Sequence, residues 1–324
     1  MSLIDLGSAI DQSVHLRLRT VEIRDHSAPA ATGIPTIVVA PFVGHATTIA
    51  DHDAGHSLMA VLRAAGVGPL YLTSWRSATP DMADLGIENY LEDLLVCLDD
   101  LGGRANLVGL GLGGWMCALL AARFPERVNA LVLAGTPVDG EAVDGPMGRL
   151  VVRTPLSTHQ SLVRAGRGVL PGEFLFDAWP GLDPAEVGLA PQPDLWDDLA
   201  EAERRRQGRD FATWDDETPD LPGRLYLEAI EHLSLRSEFA HGGFPVLGRP
   251  ADPKAITCPL YLLAGDADAF VPPEQVFAAA RLFGTPKDAV RRELVAAGHV
   301  GLFMGCTSLA QTWPRVGAWL ADLS

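Results

Sequence analysis

The sequence has few basic residues, few cysteines and no long hydrophobic run. Its 324 residues include 25 Lys and Arg against 41 Asp and Glu, which gives a formal net charge of −16 at pH 7. Nucleic acids and anionic membrane surfaces are bound through basic patches, so this charge balance argues against both as partners. No segment approaches the ~20 apolar residues of a membrane-spanning helix, and residues 1–17 lack the apolar region of a signal peptide. We therefore predict an acidic, cytoplasmic protein.

The four cysteines have neither the spacing of a metal site nor that of a disulfide framework. They are Cys97, Cys117, Cys258 and Cys306. We expect reduced, mostly buried thiols, as is usual in the cytoplasm. The segment Asp51–His56 suggests a metal site, because His52 and His56 lie four residues apart at a predicted helix start. No third well-spaced ligand is evident, so we favour Asp53 as a helix cap and expect neither a metal nor a cofactor.

Hydrophobic residues make up 48% of the chain, which is enough for a large core. From about residue 35, short apolar runs alternate with amphipathic helical patterns. The predicted strands are Thr36–Ala40, Leu70–Trp75, Ala105–Val108, Ala130–Ala134, Leu260–Ala264 and Arg292–Val295. The predicted helices include Ala54–Ala65, Glu88–Leu101 and Leu112–Arg123. Apolar strands joined by helices are typical of a mostly parallel α/β sheet with helices on both faces.

The alternation stops between residues 136 and 247, where prolines and tryptophans become frequent. We interpret this interval as a helical cap inserted into the α/β core. The core would then comprise residues 1–135 and 248–324, and the cap residues 136–247. The tryptophans of the interval could line an apolar pocket, although packing within the cap explains them equally well.

A glycine-rich loop joins a predicted strand to a predicted helix at residues 109–114. Gly109, Gly111 and Gly114 fit the dinucleotide pattern G-x-G-x-x-G, which is a weak signal alone. That loop should open the fold and be followed by an acidic residue at the next strand tip, yet Asp139 comes late. The alternative is a nucleophile elbow, G-x-Nuc-x-G, flanked by Gly109 and Gly113. The nucleophile position is then Gly111, which has no nucleophilic side chain.

The downstream sequence favours the elbow. Asp268 follows a predicted strand, and His299 follows the last one, so the chain order is elbow, acid, histidine, as in α/β hydrolases. Several segments resemble the polyhydroxyalkanoate synthase and intracellular depolymerase group. They are Trp75-Arg76, Val108–Pro125, Leu133–Asp139, Gly248–Pro250, Cys258-Pro259, Ala264–Pro273 and Gly298-His299. The resemblance covers residues 35–320, most weakly in the cap.

In that group the elbow nucleophile is typically cysteine, and the resemblance implies Asp268, in preference to Asp266, as the acid and His299 as the base. This chain departs from the group at Gly111. Loss of the nucleophile costs on the order of 10⁶-fold in a serine protease. Three explanations stay open: a relic or binding role, altered catalysis with His299 and Asp268 as general base, or substitution of an original Cys or Ser.

Other residues around the elbow are candidates for the site. The oxyanion hole would comprise the N–H of Leu112 and one from the loop that holds Phe42 and Val43. His45, in the same loop, could contact substrate or hydrogen-bond within the loop. Trp75 and Arg76 end a strand at the edge where ligands bind in such sheets. Arg76 could contact an anionic substrate or pair with Asp81 or Asp84.

The resemblance implies a hydrolase or acyltransferase lineage that acts on, or binds, an acyl ester or thioester related to polyhydroxyalkanoates. The substrate would be a small molecule or a polymer, and the protein could form homo-oligomers. The alternative is a non-catalytic protein that binds an acyl ligand, a polymer granule or a partner. A dinucleotide-binding oxidoreductase is the third and least favoured interpretation.

Overall fold

A computed structural model of the chain describes residues 13–44, 46–53, 55–143, 145–172 and 218–323. The strands, in chain order, are β1 (Val14–Arg17), β2 (Val21–Asp25), β3 (Thr36–Val39), β4 (Asp51–Asp53), β5 (His56–Ser57), β6 (Leu70–Trp75), β7 (Ala105–Leu110), β8 (Val128–Ala134), β9 (Val169–Leu170), β10 (Leu221–Pro222), β11 (Pro245–Val246), β12 (Arg249–Pro250), β13 (Leu260–Gly265) and β14 (Val290–Val295).

The α-helices are α1 (Leu58–Ala64), α2 (Ile87–Asp100), α3 (Leu112–Arg123), α4 (Pro146–Arg153), α5 (Leu156–Ala165), α6 (Gly223–Glu228), α7 (Pro273–Phe277), α8 (Ala279–Leu282), α9 (His299–Met304) and α10 (Trp313–Ala321). Segments of π-helix follow α6 at Ala229–Leu235 and precede α10 at Ser308–Thr312. No helix in these described ranges is both long and apolar enough to cross a membrane.

Eight strands form one sheet in the order β1-β2-β6-β3-β7-β8-β13-β14. The six strands from β6 to β14 are mutually parallel, and β1 and β2 add an antiparallel edge. The predicted parallel α/β sheet is therefore confirmed, although the sequence reasoning missed β1 and β2. Strands β3 and β7 are buried along their whole length because hydrophobic clusters cover both faces of the sheet. Their carboxyl ends consequently meet at one edge, which places the loops that follow them side by side.

The helix predicted over Ala54–Ala65 begins later than the sequence suggested. Residues 51–57 form a short hairpin of β4 and β5, and α1 begins at Leu58. Its cap is Ser57, whose hydroxyl oxygen accepts a hydrogen bond from the Ala60 N–H at 2.9 Å. The proposed cap at Asp53 and the helical spacing of His52 and His56 were therefore wrong.

The described parts of the 136–247 interval pack onto the sheet layer. Its buried residues belong to the same hydrophobic cluster as those of α2 and α3. Phe244 contacts Trp115 of α3 edge-to-face, with ring centroids 5.3 Å apart. The Glu228 carboxylate accepts a hydrogen bond from the Ile87 N–H, the first amide of α2, at 2.8 Å. The Ala78 N–H donates to the Asp220 carbonyl at 2.9 Å. Residues 218–228 are thus tied to the loop before α2.

A buried polar pair joins α5 to α6. His159 is fully buried, and its Nδ1 lies 2.6 Å from the Tyr226 hydroxyl. Burial lowers the pKa of His159 below its ordinary value of 6.5. The unfolded chain therefore takes up this proton at a higher pH than the folded protein does. The stabilisation is complete above pH 6.5 and declines as the pH falls below it.

We expect the melting temperature to fall as the pH is lowered from 7.5 to 5.5, and the His159→Asn variant to show a smaller fall. Asparagine retains a polar group for Tyr226 and does not titrate. The matched control is His241→Asn, at an exposed histidine whose surface ion pair with Glu141 is expected to contribute little to stability. Melting temperatures of the wild type and the two variants at several pH values test this expectation. An identical pH dependence in the wild type and His159→Asn would contradict the assignment.

Candidate active site

The turn between β7 and α3 requires glycine at three positions for reasons of space. A Cβ atom on Gly109 would overlap the backbone of Gly114, and one on Gly113 would overlap the Val39 carbonyl. A Cβ atom on Gly114 would overlap the Thr136 side chain. Only hydrogen fits at these points, so the glycines let α3 start directly against β3 and β8. The close packing fixes the position of residue 111 at the top of the sheet.

Gly111 differs from these glycines because space for a side chain exists there. Its backbone has φ +51° and ψ −124°, in the left-handed region where a side chain is strained. A Cβ atom built on it would lie 3.6 Å from Pro41 Cγ and 3.8 Å from His299 Nε2, which are ordinary contacts. The Gly111 N–H donates to the Ala134 carbonyl at 2.9 Å. Position 111 thus has the geometry of a nucleophile elbow, with the imidazole beside it.

His299 is the first residue of α9, and it is held by Asp268 from the loop after β13. The His299 Nδ1–H donates to Asp268 Oδ2 at 2.7 Å. The Asp268 side chain is fully buried, and its Oδ1 accepts hydrogen bonds from the N–H groups of Phe270 and Val271. An ionised carboxylate only accepts, so it keeps the proton on Nδ1 and leaves the Nε2 lone pair facing position 111. Chemically, the pair is arranged as a general base.

Two aromatic rings enclose the imidazole. The ring centroids of Phe270 and Phe303 each lie 5.3 Å from that of His299, the first tilted by 35° and the second nearly perpendicular. Gly135, at φ +52°, lies behind the imidazole, and a Cβ there would come within 3.3 Å of His299 Cε1. The sequence reasoning missed all three residues. Phe303 could have been found, since residues four apart on a helix share a face.

The expected oxyanion region adjoins the elbow. Leu112 is the first residue of α3, so its N–H belongs to the four amides that lack an intrahelical acceptor. The loop after β3 approaches through Pro41, the nearest contact of a side chain at 111. Phe42 is fully buried and packs edge-to-face on Tyr90, and Val43 is partly buried. The roles of Leu112, Phe42 and Val43 as oxyanion donors stay a prediction, and His45 lies outside the described residues.

Trp75 and Arg76 are engaged in structural contacts. The Trp75 indole is buried, and its N–H donates to the Ala40 carbonyl at 2.7 Å. The Arg76 guanidinium is exposed and donates to the Leu18 carbonyl at 3.0 Å. Of the two carboxylates considered as partners of Arg76, that of Asp81 pairs with Arg19 at 3.1 Å. These contacts favour a supporting role for the loop over direct substrate binding.

The remaining nucleophilic and acidic candidates lie outside the arrangement. Asp266 is exposed and accepts from the Ala297 N–H, so it does not reach His299. Burial raises the pKa of the Cys117 thiol strongly, and it raises that of Cys97 to about 12. Such thiols stay protonated and unreactive. Asp139, the nearest acid of the dinucleotide interpretation, pairs with Arg281.

Cys258 and Cys306 are each partly exposed. Burial raises the pKa of the Cys258 thiol to about 12. The Cys306 Sγ lies 4.0 Å from His56 Nε2. Within the described ranges, no three or more His, Cys, Asp or Glu side chains are grouped so as to hold a metal ion.

Comparison with known proteins agrees with the α/β-hydrolase fold seen in the structure. A family model described as alpha/beta hydrolase fold matches residues 71–305. The poly(3-hydroxyalkanoate) polymerase subunit PhaC of Allochromatium vinosum is 26% identical over 331 residues, covering 98% of this chain and 90% of that protein. The mitochondrial palmitoyl-protein thioesterase ABHD10 of Mus musculus is 30% identical over 102 residues, 30% of this chain and 31% of that protein.

A monoacylglycerol lipase from Paleococcus ferrophilus has a similar structure. It superimposes with a TM-score of 0.58, covering 91% of this chain and 98% of the other, at 17% sequence identity. At that identity the likeness concerns the fold alone.

Proposed function

The chain belongs to the alpha/beta hydrolase fold family, and from this premise we propose that it binds an acyl ester or thioester beside His299 and Asp268 without forming an acyl-enzyme. One observation carries the proposal. The Cβ position of residue 111 lies 3.8 Å from His299 Nε2, where a catalytic Ser or Cys would stand, and the residue is glycine. In this proposal His299 is the base and Asp268 its orienting acid, and the chain lacks the side-chain atom that would be acylated.

The comparisons support an acyl substrate. The relatives include a poly(3-hydroxyalkanoate) polymerase subunit and a palmitoyl-protein thioesterase, and both names denote chemistry at an acyl group. The net charge of −16 disfavours polyanions such as nucleic acids as ligands. We therefore favour a 3-hydroxyacyl ester or thioester, as a small molecule or as a polyester chain.

We also propose that residues 136–247 form a cap over the site. The contact of Phe244 with Trp115, four residues beyond the elbow, supports this placement. So do the hydrogen bonds that residues 220 and 228 accept from the N–H groups of Ala78 and Ile87. A cap over an apolar cleft excludes water and holds the acyl chain by hydrophobic contact.

Intact-protein mass spectrometry tests the proposed site. After incubation with a short-chain 3-hydroxyacyl thioester, the Gly111→Cys variant should gain the mass of one acyl group, and the wild type should gain none. The Gly111→Ala variant is the matched control, because it carries the same backbone strain and no nucleophile. In addition, a non-hydrolysable thioether analogue should raise the melting temperature of the wild type. Absence of both the adduct and the stabilisation would overturn the proposal and indicate a degenerate pocket.

A further inference from the structure

The position beside His299 at residue 111 leaves room for a small group within reach of the imidazole. Apart from the chain neighbours of Gly111, two atoms lie within 4 Å of its Cβ position: Pro41 Cγ at 3.6 Å and His299 Nε2 at 3.8 Å. A water oxygen displaced by roughly 1 Å from this point towards Nε2 would be at about 2.8 Å, a normal hydrogen-bond length. A cysteine or serine side chain would fill this volume.

We propose that a water molecule takes the place of the missing side chain and that His299 uses it to hydrolyse the acyl substrate directly, with no acyl-enzyme intermediate. This inference rests on the proposed function, since it concerns the same site and the same acyl substrate. It goes further in assigning a reaction, with water as the nucleophile and His299 as the catalytic base.

The proposed reaction balances with one water molecule, the His299 imidazole and the substrate. Nε2 accepts a proton from water as the water oxygen bonds to the substrate carbonyl carbon, and the carbonyl π pair moves to its oxygen. The tetrahedral intermediate collapses, and the bond from carbon to the leaving sulfur or oxygen breaks. The protonated Nε2 then donates its proton to the leaving thiolate or alkoxide. The products are a carboxylic acid, which ionises in solvent, and a thiol or alcohol.

The surroundings of His299 stabilise the imidazolium that forms in this step. Asp268 provides a buried negative charge at 2.7 Å from Nδ1, and its other oxygen is held by two backbone amides. Phe270 stacks at a tilt beside the ring, and a cation next to an aromatic face is favoured. Because the carboxylate is held in three hydrogen bonds, the imidazole keeps its orientation while it gains and loses the proton.

General-base catalysis by a positioned side chain contributes about 10²–10⁴-fold, so we expect a slow but measurable hydrolase. Release of free thiol from a short 3-hydroxyacyl thioester measures the rate. His299→Ala should lower the rate by about 10²-fold or more. Gly111→Ala should lower it by about tenfold or more, because the methyl group takes the volume of the attacking water. Val96→Ala, at an exposed position of α2 outside the proposed cap, should leave the rate unchanged.

Circular dichroism and thermal unfolding establish that each variant is folded. Turnover by the wild type no faster than by His299→Ala overturns the water mechanism, and so does an acyl adduct on the wild type. An unchanged rate in a folded Gly111→Ala variant overturns it as well.

These failures are distinguishable from failure of the proposed function. The wild type could be inactive while Gly111→Cys is acylated and the thioether analogue stabilises the wild type. That result would support the acyl-binding site and contradict the water reaction. If acylation and stabilisation are also absent, both proposals fall.

Discussion

Replacement of Gly111 by cysteine should raise the rate of thioester cleavage by about 10⁴-fold over the Gly111→Ala variant. Loss of the nucleophile costs on the order of 10⁶-fold in a serine protease, and a misplacement of about 1 Å costs about 10²-fold. Dividing the first factor by the second leaves a gain of roughly 10⁴-fold for the Gly111→Cys variant. The direction follows from geometry: the Cβ would lie 3.8 Å from His299 Nε2, so the next atom reaches hydrogen-bonding range.

Comparison with Gly111→Ala isolates the nucleophile, because both side chains meet the same φ of +51° and the same neighbours. Gly111→Ser should gain less than Gly111→Cys, since a hydroxyl needs more help from its base than a thiol does. Adding His299→Ala to Gly111→Cys should remove most of the gain. Steady-state rates with a 3-hydroxyacyl thioester and a p-nitrophenyl ester measure these effects. Equal rates for folded Gly111→Cys and Gly111→Ala would show that the site cannot use a nucleophile at this position.

Substitution of Gly109 by alanine should lower the free energy of unfolding by about 3 kcal/mol, the upper range for overpacking in a core. The added methyl would overlap the backbone of Gly114 and would also lie 3.2 Å from the Cys117 sulfur. A backbone atom cannot rotate away, so α3 must shift against the sheet. Any such shift also moves residue 111 relative to His299.

Urea denaturation compares this variant with Gly148→Ala. Gly148 lies within α4 with no atom near its Cβ position, and alanine there should be neutral or stabilising by up to about 1 kcal/mol. Both variants remove one glycine from the unfolded chain, so the difference between them reports the overlap at the elbow. A difference below about 1 kcal/mol would mean that α3 adapts to the methyl group, which would weaken the steric account of the turn.

The parallel sheet was predictable because strands that are buried on both faces have continuous apolar sequences. Leu70–Trp75 was predicted with the observed bounds. The meeting of His299 with an acid from the loop after β13 was predictable from chain order, since each follows a strand whose carboxyl end reaches the same sheet edge. The choice of Asp268 over Asp266 came from the family resemblance.

Other features depend on contacts that local patterns do not contain. The sequence reasoning missed β2, whose antiparallel pairing with β6 depends on a partner distant in the chain. Ser57 became a helix cap because residues 51–57 turn into a hairpin, which the helical periodicity of the following residues concealed. Trp75 ends a strand at the ligand-binding edge, yet its indole turns inward to a backbone carbonyl.

The hydrogen bond from the Ile87 amide to the Glu228 carboxylate couples the position of residues 218–228 to the first turn of a core helix. Any outward movement of residues 218–228 would deprive α2 of a charged acceptor at its positive end, where a carboxylate is worth about 0.3–1 kcal/mol. It would also break the Ala78 to Asp220 hydrogen bond. Outward movement of residues 218–228 and fraying of the first turn of α2 are therefore thermodynamically linked.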